Sequence, residues 1–279
     1  GTGTIFKIAR DGTDFQLLYS FAAVTSSSTS GLTVTVDGAA PTGPLVASTD
    51  NFFYGTTSQG GANGRGVVFR IAFDGTGFQV LHEFSATTAD TTTGLLENAD
   101  GATPLGGLLD GGDGYFYGTA AQGGTDGNGV IFAIPADGST FTVLHSFTGA
   151  DGARPVAELM VASSGKLYGV TSTGGVNSAG TTTALGTIFS IDRAGTDFSR
   201  LYSFDGKNGS VPSSRLLETA SGVFVGVATS TGNCGYGTIF RYSLAGDTVT
   251  GNTRCGQKKN NSGGGSAGFA VLLLFAGLG

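Results

Sequence analysis

Apolar and polar residues alternate along short segments of this chain, which is the period of a β-strand. In one segment the alternate positions on a single face are apolar, namely Val67, Phe69, Ile71 and Phe73. Arg70 falls on the opposite face, and an Asp74-Gly75 pair follows, which suits the positive φ angles of a hairpin turn. A second apolar run, Phe78–Phe84, comes next. The pattern predicts a β-hairpin, and no helical period occurs before residue 269.

The hairpin belongs to a unit that recurs along the chain. The motif Gly-x-[Ile/Val]-Phe occurs five times and ends at Phe6, Phe69, Phe132, Phe189 and Phe240, at intervals of 63, 63, 57 and 51 residues. Between these copies lie four Pro-x-x-x-Leu motifs, which start at Pro41, Pro104, Pro155 and Pro212. Length differences fall into three stretches, Ala22–Ala40, Ser85–Thr103 and Thr171–Leu185, so the framework itself is regular.

Each unit contains four short β runs in about 51 residues. Four antiparallel strands at this period are typical of the blade of a β-propeller, in which each blade buries its faces against its neighbours. The sequence predicts an all-β propeller domain over residues 1–245, with three complete blades and parts of two more. We expect the first copy to lack its inner pair of strands and the last its outer strand. Because the chain opens at Gly1 inside a repeat, a mature chain or a fragment is expected.

Two sets of residues follow from the repeat as structural predictions. The motif phenylalanines are expected to be buried between blades, and a glycine in each inner strand is expected at a close backbone approach; these glycines are Gly55, Gly118, Gly169 and Gly226. Glu158 and Arg215 occupy the same position in successive copies, one residue before the anchor leucine. We therefore expect them to form an ion pair across a blade junction.

Composition excludes several classes of protein. Glycine contributes 51 of 279 residues, yet 39% of residues are hydrophobic and only 12% are charged, which argues against disorder, and 6 prolines are too few for collagen. Acidic residues outnumber basic ones 20 to 14, and Lys258-Lys259 is the sole basic cluster, so no nucleic acid partner is expected. With two Cys and two His, neither a metal site nor a cofactor is expected.

The order of motifs resembles a known bacterial family. Pro-x-x-x-Leu, Leu-Tyr-Gly-Val-Thr, Gly-Gly, Gly-Thr-Ile-Phe, Asp-Gly-x-x-Phe and Val-Leu-His-Ser-Phe follow one another as in the GloVer tandem repeat of "choice-of-anchor" surface proteins. The resemblance covers residues 1 to about 245 in five copies. It implies exported, cell-surface architecture and carries no catalytic motif.

The C-terminal region has a different composition. Residues 246–268 are polar and glycine-rich, as in a linker, and residues 269–279 form an apolar tail that is shorter than the roughly 20 residues of a membrane span. The stretch Gly263, Gly264, Gly265 and Ser266 before this tail resembles a GlyGly-type C-terminal sorting signal, although the basic cluster of that signal does not follow. The resemblance implies a sorting protease of the rhombosortase type as a partner and membrane contact only through the tail. The alternative is a flexible linker before a hydrophobic fragment.

The remaining candidates for chemistry favour structural roles. His82 and His145 occupy a position that holds tyrosine in other copies, so packing with one hydrogen bond is expected. The Gly-Gly loops join strands and have no helix N-terminus behind them, so we expect turns, not phosphate loops. Asp110, Asp113 and Asp126 lack the spacing of a calcium loop, so no metal role is assigned.

Two cysteines near the C-terminus allow a covalent tie. Cys234 precedes the last Gly-x-Ile-Phe strand. Cys255 lies where the sequence of the outer strand no longer matches the repeat. An exported protein meets an oxidising environment, so we predict a Cys234–Cys255 disulfide, with two unpaired thiols as the alternative.

Residues that occur in only one copy are the place to look for an active site. They are Glu97, Arg154, Glu158, Met160, Arg200, Arg215 and Glu218, and their spacing matches no catalytic motif. The sequence therefore predicts a non-catalytic, extracellular binding or scaffold module for an unidentified glycan or protein, with the long loops 22–40 and 85–103 as its variable surface. An enzyme acting on extracellular glycans and a purely structural surface-layer protein are the alternatives.

Overall fold

The computed structural model describes residues 1–26, 31–177, 180–181, 185–232 and 235–251. Regular structure in these residues consists of β-strands. An N-terminal hairpin comes first and is formed by β1 (Thr4–Lys7) and β2 (Gln16–Ser20). The first long link contributes β3 (Thr25–Ser26) and β4 (Thr33–Ala39).

Four sheets, named blades 1 to 4 here, follow in chain order. Blade 1 contains β5 (Val46–Ala47), β6 (Phe52–Thr57), β8 (Val67–Ala72) and β9 (Gln79–Glu83), while β7 (Gln59–Gly61) pairs with β4. The second long link forms a small hairpin of β10 (Thr88–Ala89) and β11 (Leu96–Glu97). Blade 2 contains β12 (Leu109–Asp110), β13 (Tyr115–Ala120), β14 (Val130–Pro135) and β15 (Thr142–Ser146).

Blades 3 and 4 repeat the same antiparallel order. Blade 3 contains β16 (Met160–Val161), β17 (Leu167–Thr171), β18 (Thr187–Ile191) and β19 (Ser199–Ser203). Blade 4 contains β20 (Ser210–Pro212), β21 (Leu217–Ala220), β22 (Val223–Ser230), β23 (Thr238–Ser243) and β24 (Thr248–Gly251), with β20 and β21 both paired to β22. The all-β propeller class with four-stranded antiparallel blades is confirmed.

A phenylalanine ring lies over a glycine in the middle of every blade. In blade 2, Phe132 of β14 pairs in register with Gly118 of β13, and a Cβ atom on Gly118 would lie 2.4 Å from Cζ of the ring. The same pairing joins Gly55 to Phe69, Gly169 to Phe189 and Gly226 to Phe240. A Cβ is excluded at each of these glycines because the ring occupies its place. The predicted close approaches are confirmed.

Successive blades are joined at the residue before each repeat proline. Arg154 is in the left-handed region at φ 54°, its amide donates to Asn128 O of blade 2 at 2.8 Å, and its carbonyl accepts from Ser172 of blade 3 at 3.0 Å. Thr103 makes the equivalent pair of bonds with Arg65 and Ala121. A left-handed conformation is costly for residues other than glycine, so its recurrence shows that the junction requires it.

The glycine that opens each Gly-x-[Ile/Val]-Phe motif is needed at the same junction. Gly129 has φ 99°, and a Cβ on it would lie 2.7 Å from Cδ of Pro155 in the next blade. Gly186 meets Pro212 in the same way, at 2.5 Å. The glycine and the proline of the repeat are therefore partners across the blade boundary.

Two sequence predictions were wrong at the ends of the array. Four of the five motif phenylalanines are buried, but Phe6 is 54% exposed, because β1 pairs only with β2 among the described residues and no inner strand covers the ring. Blade 4 does have an outer strand, since β24 pairs with β23. The propeller thus extends to Gly251, beyond the boundary predicted at residue 245. The repeat motif is no longer recognisable in this strand, but main-chain pairing does not require the side chains of the motif.

Removal of the motif ring should be costly only where a blade is complete. Phe132→Ala should lower the free energy of unfolding by about 3–5 kcal/mol, because a fully buried ring leaves a cavity over Gly118. Phe6→Ala is the matched control at the equivalent position, and its effect should stay within about 0.5 kcal/mol. Urea denaturation of both variants measures the difference, and equal losses would contradict this packing.

Candidate functional site

The two long links lie on the same side of the array and fold over the Gly-Gly loops of the blades that follow them. We call this surface, formed by residues 22–26, 31–40, 59–65, 85–103 and 122–128, the loop face. In blade 1, Thr35 of β4 pairs with Gly61 of β7. In blade 2, the amide of Gly124 donates to Asn98 Oδ1 at 3.0 Å, and the amide of Asn98 donates to Gly124 O at 3.2 Å. The long links are therefore fastened to the blades at their bases.

The loop face combines polar groups with a few exposed apolar side chains. Val36 is 79% exposed and Leu95 is 38% exposed, and most of the other residues of the links are Ser, Thr, Ala or Gly. Two buried polar atoms on this face, Arg65 Nε and Thr87 Oγ1, have no hydrogen-bond partner among the residues that the structure describes. Burial also lowers the pKa of the Arg65 guanidinium. Unpaired buried polar atoms are uncommon in folded proteins.

The two histidines pack between blades, as the sequence predicts. His82 stacks on Phe141 of blade 2 with ring centroids 3.7 Å apart, and its Nε2 lies 2.9 Å from Asp100 Oδ2. His145 stacks on Phe198 of blade 3 at 3.6 Å and contacts Asp151 at 2.9 Å. The interpretation as packing with one hydrogen bond is confirmed.

The aspartates that bind these histidines were missed by the sequence analysis. Asp100 and Asp151 each precede a repeat proline by four residues, and Asp37 stands at the same spacing before Pro41. Asp37 accepts a hydrogen bond from the Tyr19 hydroxyl at 2.7 Å, and both it and Asp100 also accept a backbone amide of the link that follows the outer strand. The constant spacing Asp-x-x-x-Pro is the signal that could have identified them.

These contacts affect the ionisation of the aspartates. Burial of Asp100 opposes ionisation, but hydrogen bonds from His82 and from the backbone and hydroxyl of Ser85 outweigh it and lower the pKa of the carboxyl group. The pKa of Asp151 is lowered in the same way, against burial, by His145 and the Thr148 amide. Both carboxylates are therefore charged. Each lies near the end of a link and binds the amide of the first residue of that link, an arrangement that we call an aspartate clasp.

The aspartates considered for calcium have protein partners. Asp113 contacts Arg193 Nη1 and the Tyr117 hydroxyl, at 2.8 and 2.9 Å. Asp110 caps the amide of Gly112, and Asp126 is exposed beside Thr125. Within the residues that the structure describes, no group of three or more His, Cys, Asp or Glu side chains could hold a metal ion.

The predicted ion pair at the inner edge is confirmed. Arg215 Nη1 lies 3.0 Å from Glu158 Oε1, which joins blade 3 to blade 4. Burial raises the pKa of Glu158 and outweighs the attraction of the guanidinium. A carboxyl group with a raised pKa is the kind of group that can act as an acid, but here it is bound to an arginine.

The other residues unique to one copy are dispersed. Met160 is in the core, Glu218 accepts the Ser163 amide at 2.6 Å, and Arg200 donates to Val176 O at 3.4 Å. Glu97 belongs to β11, and Arg154 acts through its backbone at a junction. The proposed disulfide Cys234–Cys255 and the sorting signal Gly263–Ser266 lie outside the described residues. No helix in the described part of the chain is long and apolar enough to cross a membrane.

The aspartate clasps should make stability depend on pH. Asp100→Asn should lower the free energy of unfolding by about 1–3 kcal/mol at neutral pH, because it removes a charged acceptor from His82 and from the amide and hydroxyl of Ser85. A lowered pKa stabilises the fold above the ordinary aspartate value of 3.8, so the deficit should shrink as the pH falls below that value. Denaturant titrations between about pH 3 and 7 measure it, and exposed Asp126→Asn is the control. A deficit that grows in acid would contradict the clasp.

The Glu158–Arg215 pair should contribute little to stability. A double-mutant cycle with Glu158→Gln and Arg215→Gln should give a coupling of about 0.2–1 kcal/mol, because the Arg215 side chain is 52% exposed to water and salt. The coupling should fall at about 1 M salt. A coupling that is zero at low salt would show that the pair does not form in solution.

Comparisons with known proteins agree with this architecture. A chain of the nidogen/laminin complex aligns over 88% of this chain and 70% of its own length, with 15% sequence identity and a TM-score of 0.51. TolB from Acinetobacter baumannii aligns over 89% of this chain and 48% of its own, with 11% identity and a TM-score of 0.46. At this identity, the first match shows the fold alone. No curated protein matches the sequence.

The repeat itself identifies the family. The family model of the Gloeobacter/Verrucomicrobia repeat matches residues 86–269, which is more than half of the chain. The matched region includes blades 2, 3 and 4, with three of the four glycine–phenylalanine pairs. The chain belongs to the Gloeobacter/Verrucomicrobia repeat family.

Proposed function

We propose that this protein is an exported, surface-anchored repeat protein that acts as a non-catalytic binding or scaffold module, with the loop face as its recognition surface. The observation that carries the proposal is the position of both long links on that face, each fastened to the blade that follows. Loops held on a rigid frame are where recognition usually occurs in such folds. The propeller supplies the frame, and the links supply the variable contacts.

The chemistry of the loop face favours a polar ligand. The two links are rich in Ser and Thr and contain no aromatic residue, so recognition rests on hydrogen bonds and not on stacking. Exposed residues of the second link, such as Thr88 and Thr91, carry hydroxyl groups that can donate and accept hydrogen bonds. An extracellular glycan or the polar surface of a protein has complementary donors and acceptors.

Export and anchoring are supported by the sequence of the C-terminal region. The glycine-rich stretch, the GlyGly-type signal at 263–266 and the apolar residues 269–279 are arranged as in anchored surface proteins. Attachment through this end would leave the loop face of the propeller free to contact a ligand. Protease treatment of intact cells that express the full gene tests the surface location, since a cytoplasmic protein would stay protected.

An enzyme acting on extracellular glycans is the second candidate, and Glu158 is the observation that favours it. Its pKa is raised by burial, as expected of a general acid. Glycoside hydrolysis requires a second carboxyl group on the other side of the scissile bond, whereas the described partner of Glu158 is Arg215. Release of glycan products that is abolished by Glu158→Gln would establish the enzyme and overturn the proposal.

A loop graft tests the binding surface. Blade 2 is joined to blade 3 by the short link 148–154, which keeps the aspartate clasp at Asp151. Replacement of residues 85–103 by the sequence of residues 148–154 should therefore preserve the fold but remove half of the loop face. We expect an unchanged melting temperature, within a few degrees, and loss of binding on glycan and extracellular-protein arrays.

A second graft controls for the change of sequence. Residues 205–211 form another short link of the same length as 148–154, and they are not among the residues that define the loop face. Their replacement by the same sequence should leave binding unchanged. Array binding that survives the first graft, or that is lost equally in both, would place recognition elsewhere on the propeller.

A further inference from the structure

The two long links fold in the same way. In the first link β3 pairs with β4, and in the second β10 pairs with β11. The registers are identical, since each paired residue of the second hairpin stands 63 residues after its counterpart in the first. The same interval separates Phe69 of blade 1 from Phe132 of blade 2. The hairpins are therefore equivalent parts of successive blades, and we call residues 22–26 and 31–40 arm 1 and residues 85–103 arm 2.

Each arm is seated on a glycine of the Gly-Gly loop beneath it. A Cβ on Gly64 would lie 2.8 Å from the Cβ of Leu32 in arm 1, and a Cβ on Gly127 would lie 2.6 Å from the Cβ of Leu95 in arm 2. The two leucines are again 63 residues apart. Because the register and the seat are the same, each arm has the same position and orientation relative to its own blade.

The pair of arms belongs to two blades that are in direct contact. The ring of Tyr54 in blade 1 stacks on that of Phe116 in blade 2, with centroids 3.9 Å apart. Blades 3 and 4 follow the links 148–154 and 205–211, which are 12 residues shorter than the two long links. The loop face therefore carries one surface element twice, on neighbouring blades.

A single arm has little with which to hold a ligand strongly. Neither long link contains an aromatic residue, a lysine or an arginine, and the side chains that dominate strong interfaces are Trp, Tyr and Arg. Asp37 and Asp100 are bound in clasps, and Asp90 accepts the amide of Thr93 at 2.7 Å. What an arm offers is hydroxyl and main-chain groups without a cation, which suits a neutral polar ligand.

Two weak contacts become effective when one ligand engages both. The second contact is then intramolecular, and the affinity can rise by about 10²–10⁴ without any new kind of contact. Arms of the same structure and orientation require the same chemical group twice. A polysaccharide repeats its unit along its whole length, whereas the surface of a folded protein seldom offers the same groups twice. The duplication therefore favours the glycan among the polar ligands considered above.

We propose that the two arms bind successive stretches of one neutral linear polysaccharide, which crosses the loop face from blade 1 to blade 2. Each arm contacts the same repeating unit through hydroxyl and main-chain groups. This inference rests on the proposed function of the loop face and names the chemical class of its ligand.

The dependence of binding on polymer length tests the proposal. The full-length chain is immobilised at low density for biolayer interferometry, with pullulan, a linear β-1,3-glucan and a linear β-1,4-mannan as probes. We expect at least one polymer to bind at least tenfold more tightly than its own trisaccharide at equal sugar concentration. Anionic polygalacturonate is the control and should not bind. Failure of all three neutral polymers to bind, or equal affinity for polymer and trisaccharide, would overturn the proposal.

Two replacements of arm 1 test whether the arms are equivalent. Replacement of residues 22–40 by the sequence of residues 148–154 removes the arm and should weaken polymer binding at least tenfold. Replacement of the same residues by the sequence of residues 85–103 supplies a second copy of arm 2 and should keep the affinity within about threefold of the original. Both variants keep the clasp aspartate, so their melting temperatures should stay within a few degrees of the original. Equal loss of binding in two folded variants would contradict the equivalence and the proposal.

Grafts at the two arms also distinguish this inference from the proposed function. If loss of arm 2 abolishes binding and loss of arm 1 has no effect, the loop face remains the recognition surface, but the ligand is not bound twice and the inference is wrong. Polymer binding that survives the loss of both arms would place recognition away from the loop face and overturn the inference and the proposed function together.

Discussion

The contact of a phenylalanine ring with a glycine in the neighbouring strand underlies the whole architecture. At each of the four complete blades the ring occupies the volume of a Cβ atom, so the second strand must carry glycine and the third must carry phenylalanine at matching positions. A slip of one residue would move the ring to the other face and expose it. The contact therefore determines the register of the inner strand pair, and through it the spacing of all the motifs in the unit.

Junctions between blades use the backbone more than the side chains. The residue before the proline adopts a left-handed conformation because its amide and its carbonyl then bond to different blades. The proline ring packs against the motif glycine of the preceding blade, as Pro155 does against Gly129. In three of the links an aspartate, Asp37, Asp100 or Asp151, binds both ends of the link, and the histidine or tyrosine that contacts it stacks on the following blade. Since all these contacts end at the base of the link, the length between them is free to vary. Insertions of 12 residues are accommodated in this way.

The proposed function rests on this difference between a constant frame of blades and links of variable length. Charged residues that were considered for catalysis or for metal binding are used as structural partners: Glu158 with Arg215, and Asp113 with Arg193. The differences in length between the copies lie in the two long links and in residues 171–185, outside the paired strands of the frame. The proposed function assigns recognition of a polar ligand to the loop face, whose links are rich in Ser and Thr.

The sequence by itself determined the β-propeller class, the five copies, the glycines at close backbone approaches and the Glu158–Arg215 pair, because each depends on spacing that a repeat makes visible. The tertiary structure alone decided that Phe6 is exposed, because burial depends on which strands lie beside a residue. It also decided that β24 completes blade 4, because main-chain pairing does not require a particular pattern of side chains. It also decided that His82 meets Asp100 across a link of 17 intervening residues. Only the folded chain brings both ends of that link together, so local pattern could not assign the partner.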